Sequence, residues 1–432
     1  MSRAAGPDAD DVREQRLLGI VRWRLLPFMF VLYIVSYIDR VNVGFASLQM
    51  NRDLGLSGSV YGLGAGIFFI GYFLFEVPSN LLLERFGARP WIARIMVTWG
   101  VISTAMLFTN GVTSFYVLRF LLGVAEAGFF PGMILYLTYW FPERERAKTV
   151  ALFMTANALA GVIGGPLSGA LLTLDGRSGL AGWQWLFLLE GLPAVVLGGV
   201  VLLYLPNGPR DARWLAPEDR VWLAERRERE RASGGGHQSP WSVLTNGPVW
   251  VFSLLYFAIV VALYSVSFWL PQILKRLSGQ SDLVVGLLSS LPYVIAAIGM
   301  VIIGRHSDAT GERRWHVAGP ALAGAAGLML SALVTSPHLA FVGVCLAALG
   351  IWGSLGPFWA LPTAWLRGGA AAAGIAWINS VGNLGGFVGP YGVGYLRDTT
   401  GNFAIALAAL AGMLVVAALL AVRAPQAPPA RS

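Results

Sequence analysis

A chain that repeatedly presents about 20 apolar residues in a row has few ways to fold. Each run is long enough to cross ~30 Å of hydrocarbon as a helix, and in lipid only helices and closed barrels satisfy their own backbone hydrogen bonds. Twelve such runs lie along the 432 residues, at roughly 25–46, 60–83, 91–110, 114–139, 147–173, 183–205, 248–273, 284–304, 316–335, 339–361, 370–396 and 402–422. Only 12% of residues are charged and 56% are hydrophobic, whereas soluble domains carry about 25% charged residues. The expected fold class is therefore an all-α membrane protein of twelve transmembrane helices. The polar stretch Met1–Arg24 is followed by no small-residue cleavage site, so the first run reads as a retained span rather than a signal peptide.

Between runs six and seven lies a polar stretch of about 40 residues, Pro206 to Gly247, with alternating Glu and Arg at 225–231 and three glycines at 234–236. It divides the chain into an expected six-helix bundle at 1–205, a linker loop at 206–247 and a second six-helix bundle with a short tail at 248–432. Loop lysines and arginines orient such a protein, because they accumulate on the cytoplasmic side. With the N-terminus inside, 23 of the 31 fall on the inner side and five outside; Arg40, Arg94 and Arg119 lie within spans. Both termini and the linker are thus expected in the cytoplasm, with the chain in the cell's inner membrane as a monomer. The net charge of +8 is explained by this topology, and no nucleic-acid partner is expected.

The halves echo each other. Glu84, Gly87 and Arg89 follow span 2; Asp308, Gly311 and Arg313 follow span 8 at a constant offset of 224 residues. Repeated halves are typical of transporters that rock about a central site. Twelve spans, a long central loop and a Gly-x-x-x-Asp-Arg-x-Gly-Arg-Arg-like loop in each half resemble the major facilitator superfamily. The first loop copy departs from that pattern at Asn80, Glu84 and Ala88. More closely, four strings are similar to the anion:cation symporter family of organic-acid permeases: Tyr-Ile-Asp-Arg-Val-Asn at 37–42, Gly-Tyr-Phe-Leu-Phe-Glu-Val-Pro-Ser-Asn at 71–80, Arg-Phe-Leu-Leu-Gly-Val-Ala-Glu-Ala-Gly-Phe-Phe-Pro at 119–131 and Ile-Asn-Ser-Val-Gly-Asn-Leu-Gly-Gly at 378–386. The resemblance implies that spans 1 and 4 line a central cavity.

Charges inside spans cost ~2.5–3.5 kcal/mol each on insertion scales and so mark function by default. At ~1.5 Å per residue, Asp39 and Arg40 of span 1 and Glu126 of span 4 fall near mid-depth, with Arg119 about 10.5 Å from Glu126 on the same face. Asp39 and Glu126 are the candidate proton sites, because burial raises a carboxyl pKa while a nearby arginine lowers it. The alternative is a permanent ion pair, Asp39 with Arg119 or Glu126 with Arg40. Arg40 is the candidate anchor for an anionic substrate, since a guanidinium offers a planar fork and keeps its charge; Arg119 is expected to tune or position Glu126. Arg94 snorkels to the interface, and Glu76 and Glu190 read as structural.

Spans 7–12 hold no Asp or Glu at mid-depth, so the second half is expected to offer neutral contacts. Asn379 and Asn383 share a face of span 11, although its glycines also suit close packing. Tyr37 and Tyr72 supply hydroxyls near Arg40; Tyr264, Gln272, Trp352, Trp359 and Asn157 are weaker candidates. The loop residues Glu84, Arg85, Gly87, Arg89, Asp308, Gly311 and Arg313 read as conformational latches and not as substrate contacts. One cysteine, Cys345, permits no intramolecular disulfide. No metal, cofactor or enzymatic motif is legible; His237, His306, His316 and His338 are scattered over loops and span ends. The reading is a proton-coupled symporter of a small organic anion such as a sugar acid, dicarboxylate or aromatic acid. A proton-coupled exporter of metabolites or drugs stands as the alternative, and a membrane sensor as a remote one.

Overall fold

The computed structural model describes residues 7–233, 245–366 and 369–425, and among these every regular element is a helix. The first half contains α1 (Pro7–Asp53), α2 (Gly58–Phe86), α3 (Ala88–Ala105), α4 (Val112–Glu126), α5 (Phe129–Thr138), α6 (Glu143–Leu172) and α7 (Gly182–Tyr204). After α8 (Pro217–Ser233) the second half contains α9 (Gly247–Ser278), α10 (Asp282–Thr310), α11 (Arg314–Leu333), α12 (Pro337–Gly353), α13 (Leu355–Trp365), α14 (Gly369–Asn383), α15 (Gly385–Thr400) and α16 (Ala404–Arg423). Eleven stretches are long and apolar enough to cross a membrane. The twelfth span is α14 with α15, which meet at Leu384; its angles (φ −61°, ψ −22°) remain helical, as do those of Ser354 (φ −74°, ψ −20°) between α12 and α13. The chain is a multi-pass membrane protein with the twelve-helix architecture expected.

The helices alternate between two faces, named here the terminal face, which carries the start of α1, the end of α16 and α8, and the far face. One expectation needs correction at the terminal face, where α1 begins at Pro7, well before its apolar stretch. The connection between the halves is no simple loop, because it contains the 17-residue α8. The reason is electrostatic. Glu14 is buried and receives hydrogen bonds from Arg226 and Arg227, while Asp219 accepts from Arg13 at 2.6 Å and Arg16 at 3.0 Å. The alternating Glu and Arg of the linker thus pair with the start of α1. Residues 234–244, including the three glycines, lie outside the described residues.

A second correction concerns span 4, which is two helices. Ala127 leaves helical angles (ψ 131°) and Gly128 takes φ +84°, a left-handed conformation that suits glycine. The interruption leaves Glu126 at the end of α4, in the middle of the membrane. Irregular backbone at such depth is tolerated where it is enclosed by protein. The repeated loops also share a cause: Gly87 (φ +90°) ends α2 and Gly311 (φ +69°) ends α10, so each copy uses its glycine as a helix stop.

Towards the far face the halves touch through small residues. A Cβ on Gly62 would lie 2.4 Å from Pro390 O, and one on Gly165 would lie 2.6 Å from Gly286 O. Close backbone approach of this kind is how helices pack when surrounding lipid supplies no hydrophobic drive.

Candidate functional site

Asp39 and Arg40 are consecutive, so on a helix of 3.6 residues per turn they point about 100° apart. The divergence decides their partners. Asp39 turns into the first half, where Trp99 Nε1 donates to Oδ2 at 2.7 Å, and Ser103 Oγ and Asn42 Nδ2 (3.2 Å) donate to Oδ1. Its shell consists of neutral donors, and among the described residues it has no ion pair. Arg40 turns towards α4 and the second half. Its Nη2 pairs with Glu126 Oε1, and its Nη1 donates to Tyr264 OH of α9 at 3.1 Å. Ser36 Oγ also donates to Glu126 Oε1 at 2.8 Å. The guanidinium sits 5.4 Å from the ring centres of both Phe68 and Tyr72.

Of the two ion pairs weighed from the sequence, Glu126–Arg40 forms and Asp39–Arg119 does not. Arg119 is fully buried and aims at backbone: it donates to the carbonyls of Gly64 (3.3 Å) and Ala65 (3.0 Å) in α2 and faces the rings of Phe68 and Phe268. It makes no hydrogen bond to Glu126, so any influence on that carboxylate passes through space. Glu126 Oε2, Arg40 Nε and Arg119 Nη1 have no hydrogen-bond partner. These are unused donors and acceptors at a junction between halves, where a ligand's polar groups would find partners.

The remaining candidates divide. Tyr37 is buried, with its hydroxyl unpartnered on the side of Ser267, Tyr264 and Tyr293 of the second half. Tyr72 lies beside Arg40 as expected. Asn379 is engaged by the first half: its Nδ2 donates to Glu76 Oε1 at 2.9 Å, and Ser380 Oγ donates to Glu76 Oε2 at 2.8 Å. Glu76, read as structural from the sequence, is thus a buried carboxylate held by the opposite half. Asn383 is buried without a described hydrogen bond. Gln272 lies towards the far face, bonded to Ser47 and Arg397. Trp359 packs on Tyr256, and Trp352 on Tyr293. Of the repeated loops, Arg313 pairs with Asp308 at 2.6 Å inside its own turn, and the backbone N–H of Arg89 donates to Asn207.

Sequence reasoning missed Trp99, Ser103, Ser36 and the role of Glu76 as a bridge. One signal was available: Trp99 and Ser103 are four apart on α3 and share a face, as do Ser36 and Arg40 on α1. Among the described residues no group of three or more His, Cys, Asp or Glu side chains is placed to hold a metal ion.

Comparison with known proteins supplies a lineage. Residues 29–390 match the family model described as Major Facilitator Superfamily. A protein of Agrobacterium vitis, provisionally named a tartrate transporter, is 52% identical over 94% of this chain and 91% of its own. An Acinetobacter baumannii protein named a quinolone resistance transporter is 46% identical over 91% of both chains. The fold superimposes, with a TM-score of 0.76 at 18% identity, on the inward-facing, occupied crystal structure of a bacterial homologue of the human lysosomal transporter Spinster, covering 95% of this chain and 99% of that one. The chain is a transporter, not an enzyme, and it belongs to the major facilitator superfamily.

Proposed function

We propose that the chain takes up a small organic anion together with protons, by alternating access to a site around Arg40 between the two halves. The observation that carries this reading is the occupied fork of Arg40: Glu126 of the first half holds one arm and Tyr264 of the second half the other. A guanidinium stays charged at any ambient pH and binds carboxylates in its plane. A proton delivered to Glu126 removes that residue's claim on Arg40, and a substrate carboxylate becomes the better partner. Proton and anion then favour each other's binding, which is the thermodynamic requirement for symport. Asp39 serves as the second proton site, enclosed by Trp99, Ser103 and Asn42. Tyr37 and Tyr72 line the anion's place, and Asn379 and Asn383 contribute from span 11 once Glu76 releases it. The loops at Glu84–Arg89 and Asp308–Arg313 act as latches at the terminal face, which in this reading is cytoplasmic in an inner-membrane monomer. A relative named for tartrate transport supports a carboxylate of that kind.

A second reading, proton-driven export, is favoured by the relative named for quinolone resistance. One experiment separates the two: substrate flux in proteoliposomes under an imposed pH gradient, across a panel of carboxylates. Symport is expected to accelerate flux when protons and substrate move the same way, and Glu126→Gln is expected to abolish the acceleration. Acceleration only by an opposed gradient selects antiport. Sodium dependence without proton dependence rejects the proton sites and spares the transporter.

A further inference from the structure

One side of α1 is exposed over a long stretch. Val12, Arg16, Ile20, Trp23, Pro27 and Val31 are all exposed and follow one another at steps of three or four residues, so they form a single stripe along the helix. The stripe faces away from the Arg40 junction. Val31 and Ile20 lie nine and twenty residues before Arg40, which at 100° per residue places both about half a turn round the helix from it. Pro27 and Val31 fall inside the apolar run that begins at residue 25, so this part of the stripe meets lipid chains. The neighbouring end of α7 is bare as well, with Leu203 89% exposed. Arg24 immediately precedes the apolar run, and Trp23 beside it is 83% exposed. That is the level of the lipid headgroups, where tryptophan accumulates.

The charge at this level is one-sided. Residues 15–24 hold three arginines and no acid. Arg22 leaves the stripe and pairs with Glu145 of α6 at 3.0 Å. Arg16 must share Asp219 with Arg13, which holds that carboxylate through two hydrogen bonds. Arg24 has no ion pair among the described residues. Its guanidinium lies 4.9 Å from the ring centre of Tyr204 in α7, and the Tyr204 hydroxyl donates to the Arg24 carbonyl. Tyr204 thus orients this cation without neutralising it. Elsewhere at the terminal face arginines are matched by acids, as Arg226 and Arg227 are by Glu14 and Arg313 is by Asp308. Between Arg16 and Arg24 lies a shallow concavity floored by Gly19, Ile20 and Trp23. A Cβ on Gly19 would meet nothing within 4 Å, so the described residues leave this space open.

We propose that this side of α1 binds an anionic phospholipid of the leaflet at the terminal face. Its phosphate lies in the concavity between Arg24 and Arg16, and Trp23 stands beside its glycerol and upper acyl chain. The choice of occupant follows from charge and level. A guanidinium offers phosphate a planar fork of donors, and basic groups next to a span on this side attract anionic headgroups. A zwitterionic headgroup would bring its own cation against two guanidiniums that share one carboxylate. The site is separate from the Arg40 junction and holds whichever way substrate moves.

The test uses the full chain in vesicles of phosphatidylglycerol and phosphatidylcholine in equal parts, with bromine on the acyl chains of one lipid at a time. Bromine quenches tryptophan on contact, and the difference between wild type and Trp23→Phe isolates the Trp23 signal. Brominated phosphatidylglycerol is expected to quench Trp23 more strongly than brominated phosphatidylcholine. Arg24→Gln should lower that preference about fivefold, the worth of one basic residue at the surface, while Arg24→Lys should keep most of it. Raising the salt concentration should weaken it. Should Arg24→Gln fail to insert, Arg16→Gln provides the second arm, with a smaller loss expected because Asp219 already holds part of that charge. Equal quenching by the two lipids makes Trp23 an ordinary interfacial residue and overturns the proposal. Quenching by neither lipid means that protein covers the stripe, which also overturns it. So does a preference that survives Arg24→Gln and Arg16→Gln together.

Discussion

The halves meet in two unlike ways. On the far side the contact is made of backbone: Gly62 against Pro390, Gly165 against Gly286, with Tyr61 OH donating to the carbonyl of Phe268 and Gln49 bridging to Asp282. Nearer the terminal face, the described contact is a buried carboxylate, Glu76, held by Asn379 and Ser380. The first kind depends on shape and tolerates no added atom. The second depends on hydrogen bonds that water or a ligand can replace. A rocking transporter needs both faces to open in turn, so the two seals must be of comparable strength while differing in what breaks them.

Crowding the far-side seal should produce the largest effect. Gly62→Val places a methyl-bearing carbon where Cβ already meets Pro390 O at 2.4 Å. Overpacking of this order costs about 1–3 kcal/mol, which is roughly one to two decades in the population of the far-side-closed state. The expected result is transport reduced at least tenfold, with a cysteine introduced at the far face becoming more reactive to a membrane-impermeant thiol reagent. Wild-type flux and unchanged labelling would show that these backbones are not forced together during the cycle.

Breaking the terminal-side contact should act more weakly and with opposite sense. Glu76→Ala removes the acceptor for Asn379 and Ser380, two bonds worth about 1 kcal/mol each in net terms. Terminal-face accessibility should rise while far-face accessibility falls, and substrate exchange should be faster at low substrate concentration because Asn379 is released. If accessibility at the two faces does not move in opposite directions, Glu76 is a packing residue and the comparison loses one of its terms.

The contrast also explains what the sequence could and could not disclose. The spans were legible because twenty apolar residues admit few other folds, and the repeat at 87 and 311 was legible, although its glycines' use as helix stops emerged only from the backbone angles. The depth of Asp39, Arg40 and Glu126 was legible from the rise of a helix. Their partners were not. Adjacent residues on α1 diverge by about 100°, so Asp39 finds Trp99 and Ser103, whose indole and hydroxyl read as span packing. Arg119 was expected at Glu126 on helical spacing, but it turns to the carbonyls of α2. The break in span 4 was written in Ala-Gly-Phe-Phe-Pro at 127–131, yet hydropathy averages across it. Glu76 escaped because its partners lie more than 300 residues away, in a contact whose existence depends on which face is closed. Local pattern yields the elements; contacts that change during the cycle leave no local pattern.

The smallest effect is expected where a helix end is capped by the other half. Asp398 lies just beyond the apolar stretch of span 11 and accepts from the backbone N–H groups of Gly58 (2.9 Å) and Ser59 (2.6 Å) at the start of α2. By contrast, Glu312 caps α11 from within its own half, through the N–H groups of Trp315 and His316. Only the Asp398 cap must break when the far face opens. Burial pushes the Asp398 carboxyl up, but the bonds from Ser59 and the α2 backbone outweigh it and hold the pKa below the usual carboxylate range. The sign follows. A depressed pKa in the closed state means the cap stabilises closure fully at neutral pH and loses that contribution as pH falls through the lowered value. Because Asp398 is exposed, solvent screening keeps the gain near the low end of capping energies, about 0.5 kcal/mol. Asp398→Asn should therefore raise far-face labelling about twofold at neutral pH and flatten its rise on acidification, whereas Glu312→Gln should do neither. Equal effects of the two variants would show that the trans-half cap carries no conformational information.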